Sequence, residues 1–142
     1  GAGRGLGRSI ALAYAQEGAD VAIISRTPTE LEQVAGEIRA LGRRGVAITA
    51  DLTDSQQTHR AVQESIDGLG HLDILVNNVG GYRLFTDDLA HAVPFLELSE
   101  EVWDRVMSSN LTTAFLCCKA VLPYMVEQGS GAIINMSSGT VG

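Results

Sequence analysis

Gly1-Ala2-Gly3-Arg4-Gly5-Leu6-Gly7 runs directly into Ile10-Ala11-Leu12-Ala13-Tyr14. Glycine has no β-carbon, so a turn built this way can bend tightly and bring its backbone close to a pyrophosphate. The helical pattern beyond it offers free backbone N–H groups and the positive end of a helix dipole to the same anion. A turn of this kind normally comes after a strand, and no strand precedes it here. The pattern therefore predicts a strand ahead of Gly1 and makes the sequence read as an excerpt of a longer chain.

Downstream, strand and helix patterns alternate. Val21-Ala22-Ile23-Ile24 is a short apolar run suited to a strand covered on both faces. Thr27-Pro28-Thr29-Glu30 reads as a helix start, with Thr27 as N-cap, Pro28 at the first helical position and Glu30 closing a capping box. Leu31, Val34, Ile38 and Leu41 give that helix one apolar face, and Gly42 and Gly45 punctuate its end. Val46-Ala47-Ile48 is the next strand. Asp54 and Gln57 cap a helix whose face is Val62, Ile66 and Leu69, and Ile74-Leu75-Val76 is a third strand.

Residues 79–98 show no clear period and are expected to form a long surface loop, with room for a short helix. Ser99 then starts a long helix, with Leu98 and Trp103 spaced as a hydrophobic staple. From Val102 to Val126 apolar residues occupy most of its circumference, so it needs cover on two sides. Trp103, Met107, Phe115 and Val121 cannot all point inward with Val106, Leu111 and Cys118, so an outward apolar face is expected. Ala132-Ile133-Ile134-Asn135-Met136 is the last strand. The alternation predicts an α/β fold, a doubly wound parallel sheet of the Rossmann type, partial, with residues 1–142 forming one dinucleotide-binding domain.

At 142 residues the chain has the size of one domain, and 45% hydrophobic with 19% charged residues is ordinary for a globular protein. A net charge of −7 argues against a nucleic-acid partner. No apolar stretch reaches the roughly 18–20 residues that cross a membrane. Cys117 and Cys118 are adjacent and lack metal-ligand spacing, as do His59, His71 and His91. No metal site is expected, and a reducing, cytoplasmic setting fits.

In open α/β sheets, ligands bind beyond the carboxyl ends of the strands. The residues there are Ser25-Arg26, Asp51-Leu52, Asn77-Asn78-Val79-Gly80 and Ser137-Ser138, and the glycine turn joins them at one edge. In this combination the chain resembles the short-chain dehydrogenase/reductase family. Gly1, Gly5 and Gly7 match its Gly-x-x-x-Gly-x-Gly turn, and Asp51-Leu52, Asn77 to Gly80, Asn110 and Met136-Ser137-Ser138 come in its order. Val79 stands where the family usually has Ala.

The resemblance implies an oxidoreductase that moves a hydride between a nicotinamide cofactor and a carbonyl or alcohol, of the oxoacyl reductase or the sugar and polyol dehydrogenase kind. It implies that Gly1, Gly3, Arg4, Gly5, Leu6 and Gly7 hold the pyrophosphate region. Asp51 would accept from the adenine amino group with Leu52 packed nearby. Asn77, Val79 and Gly80 would line the adenosine side, and Asn78 would brace the strand end. Ser138 would hydrogen-bond the substrate oxygen, and Asn110, in a locally distorted helix, would hold a proton-relaying water. A Tyr-x-x-x-Lys pair is implied a short way past Gly142, and homodimers or homotetramers built on the long helix are implied for the full-length protein, the excerpt alone being inactive. Each assignment has a structural rival: Asp51 and Ser138 as turn residues, Asn77 and Asn78 as partners of backbone groups, Asn110 as an exposed residue. A non-catalytic dinucleotide sensor or scaffold on the same fold is the alternative function.

The NAD ribose is usually held by an acid at the end of the second strand. Here that end is Ser25-Arg26-Thr27, without a carboxylate, and Asp20 lies at the other end of the strand. Arg26, with Arg4 as a second cation, suits a 2′-phosphate, so NADP(H) is favoured over NAD(H).

Overall fold

The computed structural model describes residues 1–80 and 94–137. Ser138 and His91, and most of the aperiodic segment before Ser99, lie outside the described residues. The elements are α1 (Gly5–Gln16), β1 (Val21–Ser25), α2 (Pro28–Ala40), β2 (Gly45–Thr49), α3 (Ser55–Leu69), β3 (Ile74–Asn77), α4 (Glu100–Met107), α5 (Thr113–Gln128) and β4 (Ala132–Asn135). A single 3₁₀ turn at Phe95–Glu97 precedes α4, and a π-helical turn at Ser108–Thr112 separates α4 from α5.

β1 and β2 pair in parallel from Val21↔Gly45 to Ser25↔Thr49, and β3 and β4 pair in parallel from Ile74↔Ala132 to Asn77↔Asn135. Parallel pairing requires crossover connections, which α2 supplies between β1 and β2. One core cluster joins α1, β1 and α2 through Ala11, Ala15, Ile23, Leu31, Val34, Ala35 and Ile38. On the other side, Ile48, Ala50, Leu52, Ala61 and Cys117 form a second cluster, continued by Val62, Ala120, Val121 and Met125 of α3 and α5. Helices thus cover both faces, as the alternating pattern requires. Arg8 pairs with Glu37 to fasten α1 to α2, and the Tyr124 hydroxyl donates to Gln63 to fasten α5 to α3.

Most local expectations hold. Asp54 caps α3 by accepting from the Gln57 N–H at 2.8 Å, and Ser99 caps α4 by accepting from the Val102 N–H at 3.3 Å. Three do not. Thr27 stands at the N-cap of α2 but makes no side-chain cap bond, and its own N–H goes to Ser25 Oγ at 3.3 Å, so Glu30 closes no capping box. Leu41, beyond the last turn of α2, is 44% exposed because the chain turns away at Gly42. Leu111, expected on the inward side of the long helix with Val106 and Cys118, is 59% exposed, while Val121 is 1% exposed and packs with Val62 and Ala120.

The two strand pairs are separate. Among the described residues β1 bonds only to β2 and β3 only to β4, and their facing edges border an apolar cleft of about 410 Å³ between Ile23 and Ile24 on one side and Leu75 and Val76 on the other. The cleft lies between the two strand pairs, with α1, Cys117 and Val121 among its walls. Two unpaired parallel edges expose backbone donors and apolar side chains. Residues 1–142 expressed alone should therefore be poorly soluble or molten, binding a hydrophobic dye and lacking a sharp thermal transition. A soluble monomer with cooperative unfolding would show that the cleft closes on its own.

Candidate functional site

The glycine turn sits at the carboxyl end of β1, where the Gly1 nitrogen donates to the Ile24 carbonyl at 2.6 Å. Gly5 adopts φ +56°, a left-handed conformation that favours glycine. Gly7 is the point of closest approach: a β-carbon there would stand 2.0 Å from the Gly1 carbonyl oxygen and 2.7 Å from Asn78 Nδ2. Asn78 Nδ2 donates to that same carbonyl at 3.0 Å, so the turn is tied to the end of β3. Arg4, at the N-cap of α1, makes no side-chain cap bond and is exposed, as is Leu6. The first amides of α1 are thereby left open to an anion.

Asp51 comes just after β2. Its Oδ1 accepts from the Thr53 N–H at 3.0 Å and the Thr53 hydroxyl at 2.8 Å, an Asx turn. Its own N–H goes to Gln57 Oε1 at 3.0 Å. Oδ2 has no hydrogen bond among the described residues and stays available to a donor. The Thr53 N–H, and then the Thr53 hydroxyl and the nearby Arg26 guanidinium, hold the carboxyl below its ordinary range against partial burial. A carboxyl lowered by the fold stabilises it above the ordinary carboxylate range, and that contribution is lost only as pH falls through the lowered value. Asp51 is therefore an acceptor at every neutral or mildly acidic pH. Leu52 is buried beside it.

Asn77 and Asn78 divide their work. Asn77 Nδ2 donates to Asn135 Oδ1 across the β3–β4 pair at 2.8 Å and lies 3.4 Å from Cys118 Sγ. Asn78 braces the turn. Val79 packs on the core beneath Leu52. Gly80 has φ +153°, and a β-carbon on it would stand 2.6 Å from Asn110 Oδ1. Asn110 sits in the π-helical turn, which opens the usual α-helical ladder. Polar side chains serve the carbonyls there: Asn110 Nδ2 and Ser109 Oγ donate to the Val106 carbonyl at 2.9 and 3.2 Å, and Thr113 Oγ1 donates to the Ser109 carbonyl at 3.0 Å. The distorted helix expected at Asn110 is present.

Ser25 Oγ and the exposed Arg26 complete the edge, and Arg26 makes no hydrogen bond among the described residues. Asp20 is at the opposite end of β1, bound to Arg43 and Arg44 at 2.8 and 2.7 Å, which hold its carboxyl low. Cys117 and Cys118 are free thiols, and burial raises Cys117 to about 11. The residues brought together are thus the glycine turn, Ser25, Arg26, Asp51, Leu52, Asn78, Val79, Gly80 and Asn110. Thr53 and Asn135 support them and were not singled out in the sequence, although the Asp-x-Thr spacing of an Asx turn marked the first; Gln57, read there only as a helix-capping residue, also holds the Asp51 amide.

The family model described as short chain dehydrogenase matches residues 1–141. The chain belongs to that family. It is 41% identical to the 3-oxoacyl-[acyl-carrier-protein] reductase of Staphylococcus aureus, covering 100% of this chain and 56% of the relative. It is 43% identical to an uncharacterized oxidoreductase of Mycobacterium tuberculosis over 97% of this chain and 50% of the relative, so it spans about half the length of these curated relatives. The solved 3-ketoacyl-ACP reductase from Sinorhizobium meliloti superposes with a TM-score of 0.86 at 38% identity, covering 97% of this chain and 51% of that one. Among similar structures, a metagenomic short-chain oxidoreductase is in complex with NADP (TM-score 0.86, 30% identity, 99% and 60% covered). A 7α-hydroxysteroid dehydrogenase is complexed with NADH and 7-oxo glycochenodeoxycholic acid (TM-score 0.86, 31% identity, 97% and 51% covered). The fold of the short-chain dehydrogenase family is a parallel α/β sheet of Rossmann type, in keeping with the strands and helices seen here.

The clamp at Gly7 is directly testable. Gly7→Ala in the complete protein should lower the free energy of unfolding by about 1–3 kcal/mol, as overpacking does. Urea denaturation reads this, and an unchanged midpoint would show that the turn absorbs a methyl group.

Proposed function

We propose that the complete protein carrying this chain is a nicotinamide-dependent oxidoreductase acting on a carbonyl or alcohol. The observation that carries the reading is the convergence at one sheet edge of an anion-ready glycine turn clamped by Asn78 with an ionised Asp51 whose Oδ2 is free. The bare α-carbons of the turn leave the close approach that a pyrophosphate needs. The Gly1–Gly7 turn and the first amides of α1 hold the pyrophosphate, Asp51 accepts from the adenine amino group, and Val79 and Gly80 border the adenosine.

A bound nicotinamide supplies or takes up the hydride. Ser138 donates its hydroxyl to the substrate oxygen and stabilises negative charge developing there. Asn110 holds a water for proton relay, and the π-helical turn favours this over a sensor, because a distorted helix serving a site asparagine has no use in binding alone. Substrates of the oxoacyl or the sugar and polyol kind both fit this chemistry, and identity to a 3-oxoacyl reductase supports the former. Arg26 and Arg4 support NADP(H) over NAD(H). Trp103, Leu111, Phe115, Leu122 and Val126 leave an exposed apolar face along α4 and α5 that supports assembly as a homodimer or homotetramer. Among the described residues no helix is long and apolar enough to cross a membrane, and a cytoplasmic setting is part of the proposal.

Ser138→Ala in the complete enzyme should lower kcat by roughly 10²-fold or more while leaving cofactor affinity unchanged. Near-normal turnover in steady-state assays would move the oxygen contact elsewhere. Arg26→Asp should weaken NADPH binding by about 1–3 kcal/mol, the scale of a charge-assisted hydrogen bond. The ratio of kcat/KM for NADPH to that for NADH is the measurement, and a constant ratio would remove Arg26 from cofactor choice.

A further inference from the structure

The first turn of α2 holds a carboxylate where the helix has no need of it. Glu30 does not return to the N-cap, because the Thr27 N–H is already held by Ser25 Oγ. It leans over the glycine turn instead. A β-carbon on Gly3 would stand 2.8 Å from Glu30 Oε2, 2.9 Å from Glu30 Cβ and 3.5 Å from Ser25 Oγ. Glu30 is half-buried and has no hydrogen bond or ion pair among the described residues. A carboxylate directed to solvent would complement the helix dipole equally well, so the dipole does not account for its seat against Gly3. The missing side chain at Gly3 makes room for it.

That seat lies at the carboxyl end of β1, the end of a nucleotide-binding strand at which an acid meets the ribose 2′-hydroxyl. β1 itself ends in Ser25 without a carboxylate. We propose that Glu30 is the group that reads the ribose 2′ position, reaching it from α2 and not from the strand. This rests on the nicotinamide-dinucleotide reading above. An ionised Glu30 accepts from a 2′-hydroxyl and repels a 2′-phosphate, whereas Arg26 and Arg4 attract the phosphate. Opposed charges on neighbouring residues make the site admit both cofactors, with Glu30 setting the balance.

The test is calorimetric titration of NAD⁺ and of NADP⁺ into the complete protein, wild type, E30Q and E30A, at low and at raised salt. E30Q keeps the size and packing of the side chain and removes its charge. It should weaken NAD⁺ by about ten-fold, the scale of a hydrogen bond to a charged group, and tighten NADP⁺. The shift in the ratio of the two Kd values should shrink as salt screens the charge. E30A should move the ratio in the same direction. An unchanged ratio in both variants, with both cofactors still bound, would overturn the role of Glu30 and leave the oxidoreductase reading standing. A parallel loss of both affinities would overturn it too, since that is what a purely structural residue produces. Wild-type protein that binds neither dinucleotide would overturn the underlying reading and this proposal with it.

Discussion

Where the glycine turn closes, the α-carbon of Gly7 passes so near the Gly1 carbonyl that one methyl group would stand 2.0 Å from its oxygen, and Asn78 donates to that same oxygen. This contact joins the first helix to the end of β3 across the width of the sheet. It fixes the start of α1, and with it the direction of the open amides. Remove the tie, and Asp51, Arg26 and Gly80 remain on one edge but no longer face a common anchor.

The edge is held together by modest polar interactions: side-chain amides, hydroxyls and carboxylates bonded to backbone groups at strand ends or, for Asn77 and Asn135, to one another. Thr53 turns Asp51, Gln57 holds the Asp51 amide, Asn77 bridges to Asn135, and Ser25 takes the Thr27 amide. Each leaves a neighbouring atom open. Such bonds contribute on the order of 1 kcal/mol apiece, so the site depends on their number more than on any one of them.

Elements governed by neighbours in sequence were legible in it. Periodicity located the strands, Asp54 and Ser99 announced their helices, and the distorted helix at Asn110 was implied by the family resemblance and not by the period of the residues around it. Elements governed by distant neighbours were not. Thr27-Pro28-Thr29-Glu30 has the letters of a capping box, yet Ser25 claims the amide that Glu30 would have taken. Val121 and Leu111 are both apolar, yet Leu111, within the π-helical turn, is exposed, while Val121, beyond it, is buried. An extra residue in one turn rotates the remainder of the helix by about 100° relative to an unbroken one, and a stripe drawn at a constant period misses this.

The division of the sheet into two pairs also sets an order in time. β1 and β2 join residues such as Asp20 and Arg44, 24 apart, while Asn77 and Asn135 meet across 58. Closing the longer loop costs more chain entropy, although by under about 1 kcal/mol. The β1–α2–β2 unit brings its own apolar helix to cover it, so it can form early from local contacts. The second pair brings together strands much farther apart in the sequence, and its helix α5 packs on α3. Short-range contacts therefore favour the β1–β2 pair, and the β3–β4 pair depends on contacts made over more than twice the separation in sequence.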